Sequence, residues 1–130
     1  MSLKVLVVDD DEIIVVIHTT LIKKSQLESN PITFFRGKEV VDYIVKNQNS
    51  NDKYLIFLDI NMPEMNGWEF LESTKKYKEN VFVIIVTSSI NRVDKEKAKL
   101  YDNIIHFIEK PMKKEDCDKI RSLPEIAQYF

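Results

Sequence analysis

Residues 54–63 read Tyr54-Leu55-Ile56-Phe57-Leu58-Asp59-Ile60-Asn61-Met62-Pro63, and this stretch decides the fold. The run before Asp59 is too short for a helix and hardly alternates, which suits a strand covered on both faces. Asp59 closes the run, so a carboxylate stands at a strand's C-terminal end. In open α/β sheets that edge is where ligands bind. A second run, Val5-Leu6-Val7-Val8, ends in Asp9-Asp10-Asp11. If the two strands are neighbours, their carboxylates converge and repel. Relief comes from a cation or from a raised pKa. A hard divalent metal held by oxygen ligands is the simple solution.

Working outward, five apolar runs (4–8, 32–35, 54–58, 81–86 and 105–108) alternate with helix-like segments. In the first segment Ile14, Ile17 and Leu21 share a face, with Ile13 beside it. Val40, Val41, Ile44 and Val45 mark the second. Asn66 is an N-cap for the third, which turns Trp68, Phe70 and Leu71 inward. The fourth, 92–100, is highly charged, and the fifth begins near Lys114 and is stopped by Pro124. Five βα repeats predict a doubly wound, flavodoxin-like α/β fold: a five-stranded parallel sheet in the order 2-1-3-4-5 with helices on both faces. That order makes the first and third strands adjacent, and Asp9, Asp10 and Asp59 then line one crevice.

Composition agrees with one soluble domain. The chain has 130 residues, 44 % hydrophobic and 31 % charged, with Lys+Arg 19 against Asp+Glu 21. A net charge of −2 argues against a nucleic-acid surface, which needs a basic patch. A single cysteine, Cys117, excludes an internal disulfide and a thiolate zinc cage. No signal peptide opens the chain, and no apolar run approaches a membrane span. A cytoplasmic protein without membrane contact is expected.

Two more strand ends carry polar groups. Thr87 follows Val83-Ile84-Ile85-Val86, and Lys110 follows Phe107-Ile108-Glu109. Acid, acid, hydroxyl and ammonium at one sheet edge suit phosphoryl transfer. A carboxylate can be the nucleophile, a metal neutralises charge, and the hydroxyl and ammonium bind the remaining phosphoryl oxygens.

Five fragments, Val7-Val8-Asp9-Asp10, Leu58-Asp59-Ile60-Asn61-Met62-Pro63, Met65-Asn66-Gly67, Val86-Thr87-Ser88-Ser89 and Phe107-Ile108-Glu109-Lys110-Pro111, stand in order at these strand ends. Together they resemble the receiver domain of two-component response regulators, over essentially the whole chain. The resemblance implies that Asp59 is the phosphoacceptor, charged from a phosphohistidine of a histidine kinase or histidine phosphotransfer protein. Asp10 and Asp59 would then ligate Mg²⁺ (or another divalent cation) directly, Asp9 through water, and Asn61 through its backbone carbonyl. Lys110 would pair with the carboxylate and then with a phosphoryl oxygen, and Thr87 with another. The family's switch couples Thr87 to Phe107, which lacks the hydroxyl of the tyrosine found in some relatives. A downstream protein would read the face made by the fourth helix, fifth strand and fifth helix. Residues 1–130 would form one receiver domain with no effector domain, a signalling module rather than an enzyme.

The chain also departs from the family pattern. Asn66 replaces an aspartate, and either residue caps a helix. Tyr101-Asp102-Asn103-Ile104 replaces a glycine-containing turn, so Asn103 is expected in the left-handed conformation. Pro124 puts the last helix's length, and so the output face, in question. Asn61 and Ser89 lie two positions after Asp59 and Thr87, where the family tunes hydrolysis.

Two other classes compete. One is a phosphorylation-independent protein-interaction domain with the same fold. The other is a flavin binder or phosphatase on that fold. Against the latter, the chain has two glycines, Gly37 and Gly67, and so no Gly-rich cradle. Asn61 also stands where an aspartate-dependent phosphatase carries its second acid. Asp11 reads as an acid at a helix N-terminus, His18 as a partly buried structural histidine, His106 as exposed, and Cys117 as a small apolar helix residue.

Overall fold

The computed structural model describes residues 3–130. The strands are β1 (Leu3–Val8), β2 (Ile32–Phe34), β3 (Lys53–Asp59), β4 (Val81–Thr87) and β5 (Ile104–Glu109). The helices are α1 (Glu12–Lys24), α2 (Gly37–Lys46), α3 (Gly67–Ser73), α4 (Arg92–Ala98) and α5 (Lys114–Arg121), with 3₁₀ turns at Lys75–Asn80 and Ala127–Tyr129. The sheet is parallel throughout and runs β2-β1-β3-β4-β5, the expected order. Among the described residues no helix is long and apolar enough to cross a membrane.

The period-2 geometry of a strand sends successive side chains to opposite faces. Leu6, Val8, Ile56, Leu58, Val83 and Ile85 therefore pack on the α2, α3 and α4 side. Val5, Val7, Leu55, Phe57, Ile84 and Val86 pack on the α1 and α5 side. Both sets are buried, which explains the lack of alternation in the central strands. Burying a side chain of this size stabilises the fold by roughly 1.5–3 kcal/mol.

Four readings from the sequence are corrected. Helix α1 buries Val15, His18 and Ile22, while Ile13 and Ile17 are exposed and Ile14 and Leu21 only partly covered. Its sequence is apolar almost all round, so two stripes compete. The stripe through His18 wins because the imidazole finds a buried partner, the Met112 N–H at 3.0 Å. Asn103 does not take the left-handed conformation; among the described residues, Gln26 and Glu64 are the non-glycine ones with positive φ. The β4–β5 register shifts between Val83 and Ile84 instead, because Val83 pairs with Ile104 and Ile84 with His106. Asn103 supports the shift, accepting from the Val83 N–H and donating its amide to the Val81 carbonyl. His106 is half-buried, not exposed, and burial beside Lys119 holds its pKa below the usual value. Phe35 lies outside β2, exposed at the sheet edge.

Other readings hold. Asn66 accepts from the Glu69 N–H and Glu69 returns to the Asn66 N–H, a capping box. Asp11 caps α1 through the Ile13 and Ile14 N–H groups. Cys117 is buried and free. Helix α5 ends at Arg121, short of Pro124, and the chain beyond it folds back to bury Ile126 in the core.

Candidate phosphoacceptor and metal site

The register sets the site. Val8 pairs with Leu58, so the residues after them, Asp9 and Asp59, leave the sheet level with one another. Asp59 pairs with Val86, and Thr87 with Glu109, which brings Lys110 to the same edge. Asp9 and Asp59 are buried and Asp10 is exposed. One oxygen from each lies within 4.8 Å of the others. The Lys110 ammonium sits 2.8 Å from Asp9 Oδ2 and 3.3 Å from Asp59 Oδ2. Asp9 Oδ1 accepts the Asp11 N–H and Asp59 Oδ1 the Asn61 N–H.

Electrostatics follow from burial. Desolvation, then repulsion from Asp9, raises the Asp59 pKa to about 6, although Lys110 and the Asn61 N–H oppose the rise. Burial works against the charged form of Lys110 as well, but its hydrogen bond to Asp9 and the charge of Asp59 outweigh this and raise its pKa. The ammonium therefore stays charged. One cation faces two buried carboxylates with a third at the rim, and this excess of negative charge suits a hard cation with oxygen ligands.

The loop after β3 is packed against the strand end. The Gly67 N–H donates to the Ile60 carbonyl. A Cβ at Gly67 would fall 2.9 Å from Ile60 Cα and 3.2 Å from the Asp59 carbonyl oxygen. Glycine is thus required for close approach rather than for an unusual φ. Asn61, two residues past Asp59, is exposed on this loop.

Thr87 is buried, but its hydroxyl donates to the Ser89 carbonyl at 3.2 Å rather than to the acids. Phe107 is half-buried. It packs against the core and lines a groove of about 500 Å³ with Ile90, Lys95, Tyr101, Ile104 and His106. A brace between α3 and the end of α4 was not legible beforehand. Trp68 stacks on Tyr101 at 6.0 Å, Lys97 lies 5.1 Å above the indole, and the Tyr101 hydroxyl donates to Glu72 at 2.6 Å. That last bond, with burial, pushes the Tyr101 pKa up to about 12.

An acid cluster at the switch point of a flavodoxin-like sheet is the arrangement of a signalling receiver. The chain belongs to the response regulator receiver domain family, which residues 5–121 match. A two-component response regulator of Arabidopsis thaliana is 30 % identical over 132 residues, covering 98 % of this chain and 84 % of the relative. A hybrid signal transduction histidine kinase of Dictyostelium discoideum is 32 % identical over 123 residues, 90 % of this chain and 7 % of the kinase. Among solved structures, a two component response regulator from Cytophaga hutchinsonii has a TM-score of 0.82 at 25 % identity, covering 92 % of this chain and 93 % of that one. The chain spans 7 %, 47 % and 20 % of the length of three curated relatives.

Proposed function

We propose that the chain is a phosphoacceptor in two-component signal transduction, taking a phosphoryl group onto Asp59 from a histidine kinase or histidine phosphotransfer protein. The observation that carries this reading is Asp59 itself, a buried strand-end carboxylate crowded by Asp9 and touched by the Lys110 ammonium. An Asp59 oxygen attacks phosphorus and the P–N bond to the donor imidazole breaks. The imidazole leaves with that electron pair and takes up a proton. Lys110, 3.3 Å from Asp59 Oδ2, is positioned to follow the charge onto a phosphoryl oxygen. Thr87 gives up its bond to Ser89 to hold another.

Asp9, Asp10, Asp59 and the Asn61 carbonyl would hold Mg²⁺ or another divalent cation, and the cluster of carboxylate oxygens fits such an ion. When bound it supplies positive charge at the phosphoryl group. The chain modifies itself and loses the group slowly, so it is not a turnover enzyme.

Movement of Thr87 toward the phosphoryl group opens space for Phe107, and the α4–β5–α5 face changes shape. A downstream protein reads that face, with no nucleic acid or membrane involved, in the cytoplasm. Residues 1–130 act as a single receiver domain.

Transfer from a phosphorylated histidine phosphotransfer protein in Mg²⁺, followed on a phosphate-affinity gel, tests the reading. A shifted band that is lost with EDTA and in Asp59→Asn is expected. A band that persists in the variant refutes Asp59 as the acceptor.

A further inference from the structure

His18 is buried on the inner face of α1, and the proposed phosphoryl transfer makes no direct use of it. Its Nε2 accepts the Met112 N–H at 3.0 Å, a contact across 94 residues of sequence. An imidazole that accepts through Nε2 is neutral and carries its proton on Nδ1. Met112 stands two residues after Lys110, in the turn that joins β5 to α5.

That turn has three backbone anchors. The Lys110 N–H donates to the Thr87 carbonyl at 2.8 Å, at the end of the β4–β5 ladder. The Lys113 N–H donates to the Asp116 carboxylate at 2.8 Å, at the start of α5. Between them Pro111 has no N–H to offer. The Met112 N–H is buried, so without a partner it costs stability or pulls the turn toward water. His18 supplies that partner from a different element. Helix α1 itself begins at Glu12, and its N-cap, Asp11, directly follows Asp9 and Asp10 in the chain. The imidazole therefore ties the element that follows the acid cluster to the turn that follows Lys110.

We propose that His18 is a positioning residue for Lys110: its hydrogen bond to the Met112 N–H holds the β5–α5 turn where the Lys110 ammonium reaches both Asp9 and Asp59. The proposal rests on the phosphoryl-transfer reading for its catalytic consequence, but not for its geometry. A protonated His18 has no lone pair for Met112, so the tie is acid-labile. The charged groups facing His18 are Asp9 from the β1 end, Lys110 from the β5 end and Asp116 from α5. Burial outweighs the two acids and keeps its pKa below 6.5, which leaves the tie intact at neutral pH.

Two variants of the full chain separate positioning from mere packing. His18→Leu fills the space without an acceptor. His18→Gln keeps an acceptor near the Nε2 position that does not titrate. The readouts are the rate of Mg²⁺-dependent phosphorylation by acetyl phosphate, Mg²⁺ affinity, and exchange protection of the Lys110 ammonium by NMR. His18→Leu is expected to lose the protected ammonium signal and to slow phosphorylation about tenfold, as a misplaced supporting group does, while Mg²⁺ binds more tightly because the displaced ammonium competes less for Asp9 and Asp59. His18→Gln is expected to restore all three. The ratio of wild-type to His18→Gln rates should fall as pH drops through the folded pKa of His18, which burial holds below the ordinary 6.5, because only the wild type carries the titrating acceptor.

Wild-type rate and ammonium protection in a folded His18→Leu overturn the proposal. If His18→Leu does not fold, His18→Gln decides alone, and a rate ratio flat with pH overturns it. If the wild type takes up no phosphoryl group, the functional reading fails instead, and the ammonium signal still decides the proposal.

Discussion

Asp9 and Asp59 are held by the same two devices. Each takes on Oδ1 the backbone N–H two residues further on, from Asp11 at 2.9 Å and from Asn61 at 3.1 Å. Each turns Oδ2 to the Lys110 ammonium, at 2.8 Å and 3.3 Å. Lys110 thus stands as an internal counter-ion between two buried acids, nearer the one that is not the proposed acceptor.

A divalent cation and Lys110 compete for the same carboxylates. Lys110→Met is expected to bind Mg²⁺ about tenfold more tightly, ~1.4 kcal/mol, while phosphorylating poorly. Without metal the variant should be less stable by roughly 3 kcal/mol, as when one partner of a buried pair is removed. Calorimetric titration and denaturant unfolding check the two effects. Unchanged Mg²⁺ affinity would show that no competition exists.

Asp59 makes metal-free stability depend on pH. Its folded pKa of about 6 exceeds the ordinary 3.8, so the folded protein holds a proton that the unfolded chain releases across that window. This group's contribution therefore improves as pH falls from about 6 toward 3.8. His18 acts oppositely. Its folded pKa is lowered, so its contribution is complete above 6.5 and is lost as pH falls through the folded pKa. Asp59→Asn isolates the first effect. Metal-free Asp59→Asn should be more stable than wild type at neutral pH, with the gap closing in acid. A gap that stays constant with pH would contradict the raised pKa.

The central strands and the convergence of Asp9, Asp59, Thr87 and Lys110 on one edge were legible because strand ends in a doubly wound sheet fall on one side. The inner face of α1 was not. Ile13, Ile14, Ile17 and Leu21 outbid His18 on hydrophobicity, and a hydrogen bond across 94 residues leaves no local trace. The same holds for Tyr101 and Glu72, joined across 29 residues. Lys110 was expected on Asp59, and its preference for Asp9 depends on side-chain placement that spacing does not encode. The Asn103 turn misled because a one-residue register shift does the work a left-handed residue would have done.

Gly67 guards the turn beside Asp59. Gly67→Ala puts a methyl group 2.9 Å from backbone, which cannot swing away as a flexible side chain would. A stability loss of about 2 kcal/mol is expected, with weaker Mg²⁺ binding as the 59–61 turn shifts. Thermal unfolding and a Mg²⁺ titration read both. A variant that matches wild type in each would show that the loop accommodates the methyl group at no cost.

Trp68 is the single tryptophan and packs against Tyr101 and Lys97 at the end of α4. Its emission therefore reports on α4. A beryllofluoride adduct, a phosphoryl mimic, should change Trp68 emission in the wild type. Thr87→Ala should bind the mimic but show little of the change, because the link to Phe107 is cut. An equal response in the two proteins would remove Thr87 from the switch.

The most direct test is intact-protein mass after incubation with Mg²⁺ and acetyl phosphate, wild type beside Asp59→Asn. The expected result is a gain of one phosphoryl group in the wild type, abolished by EDTA and absent from the variant. An equal gain in Asp59→Asn, or no gain in a wild type that also binds no Mg²⁺, contradicts Asp59 as a metal-assisted phosphoacceptor.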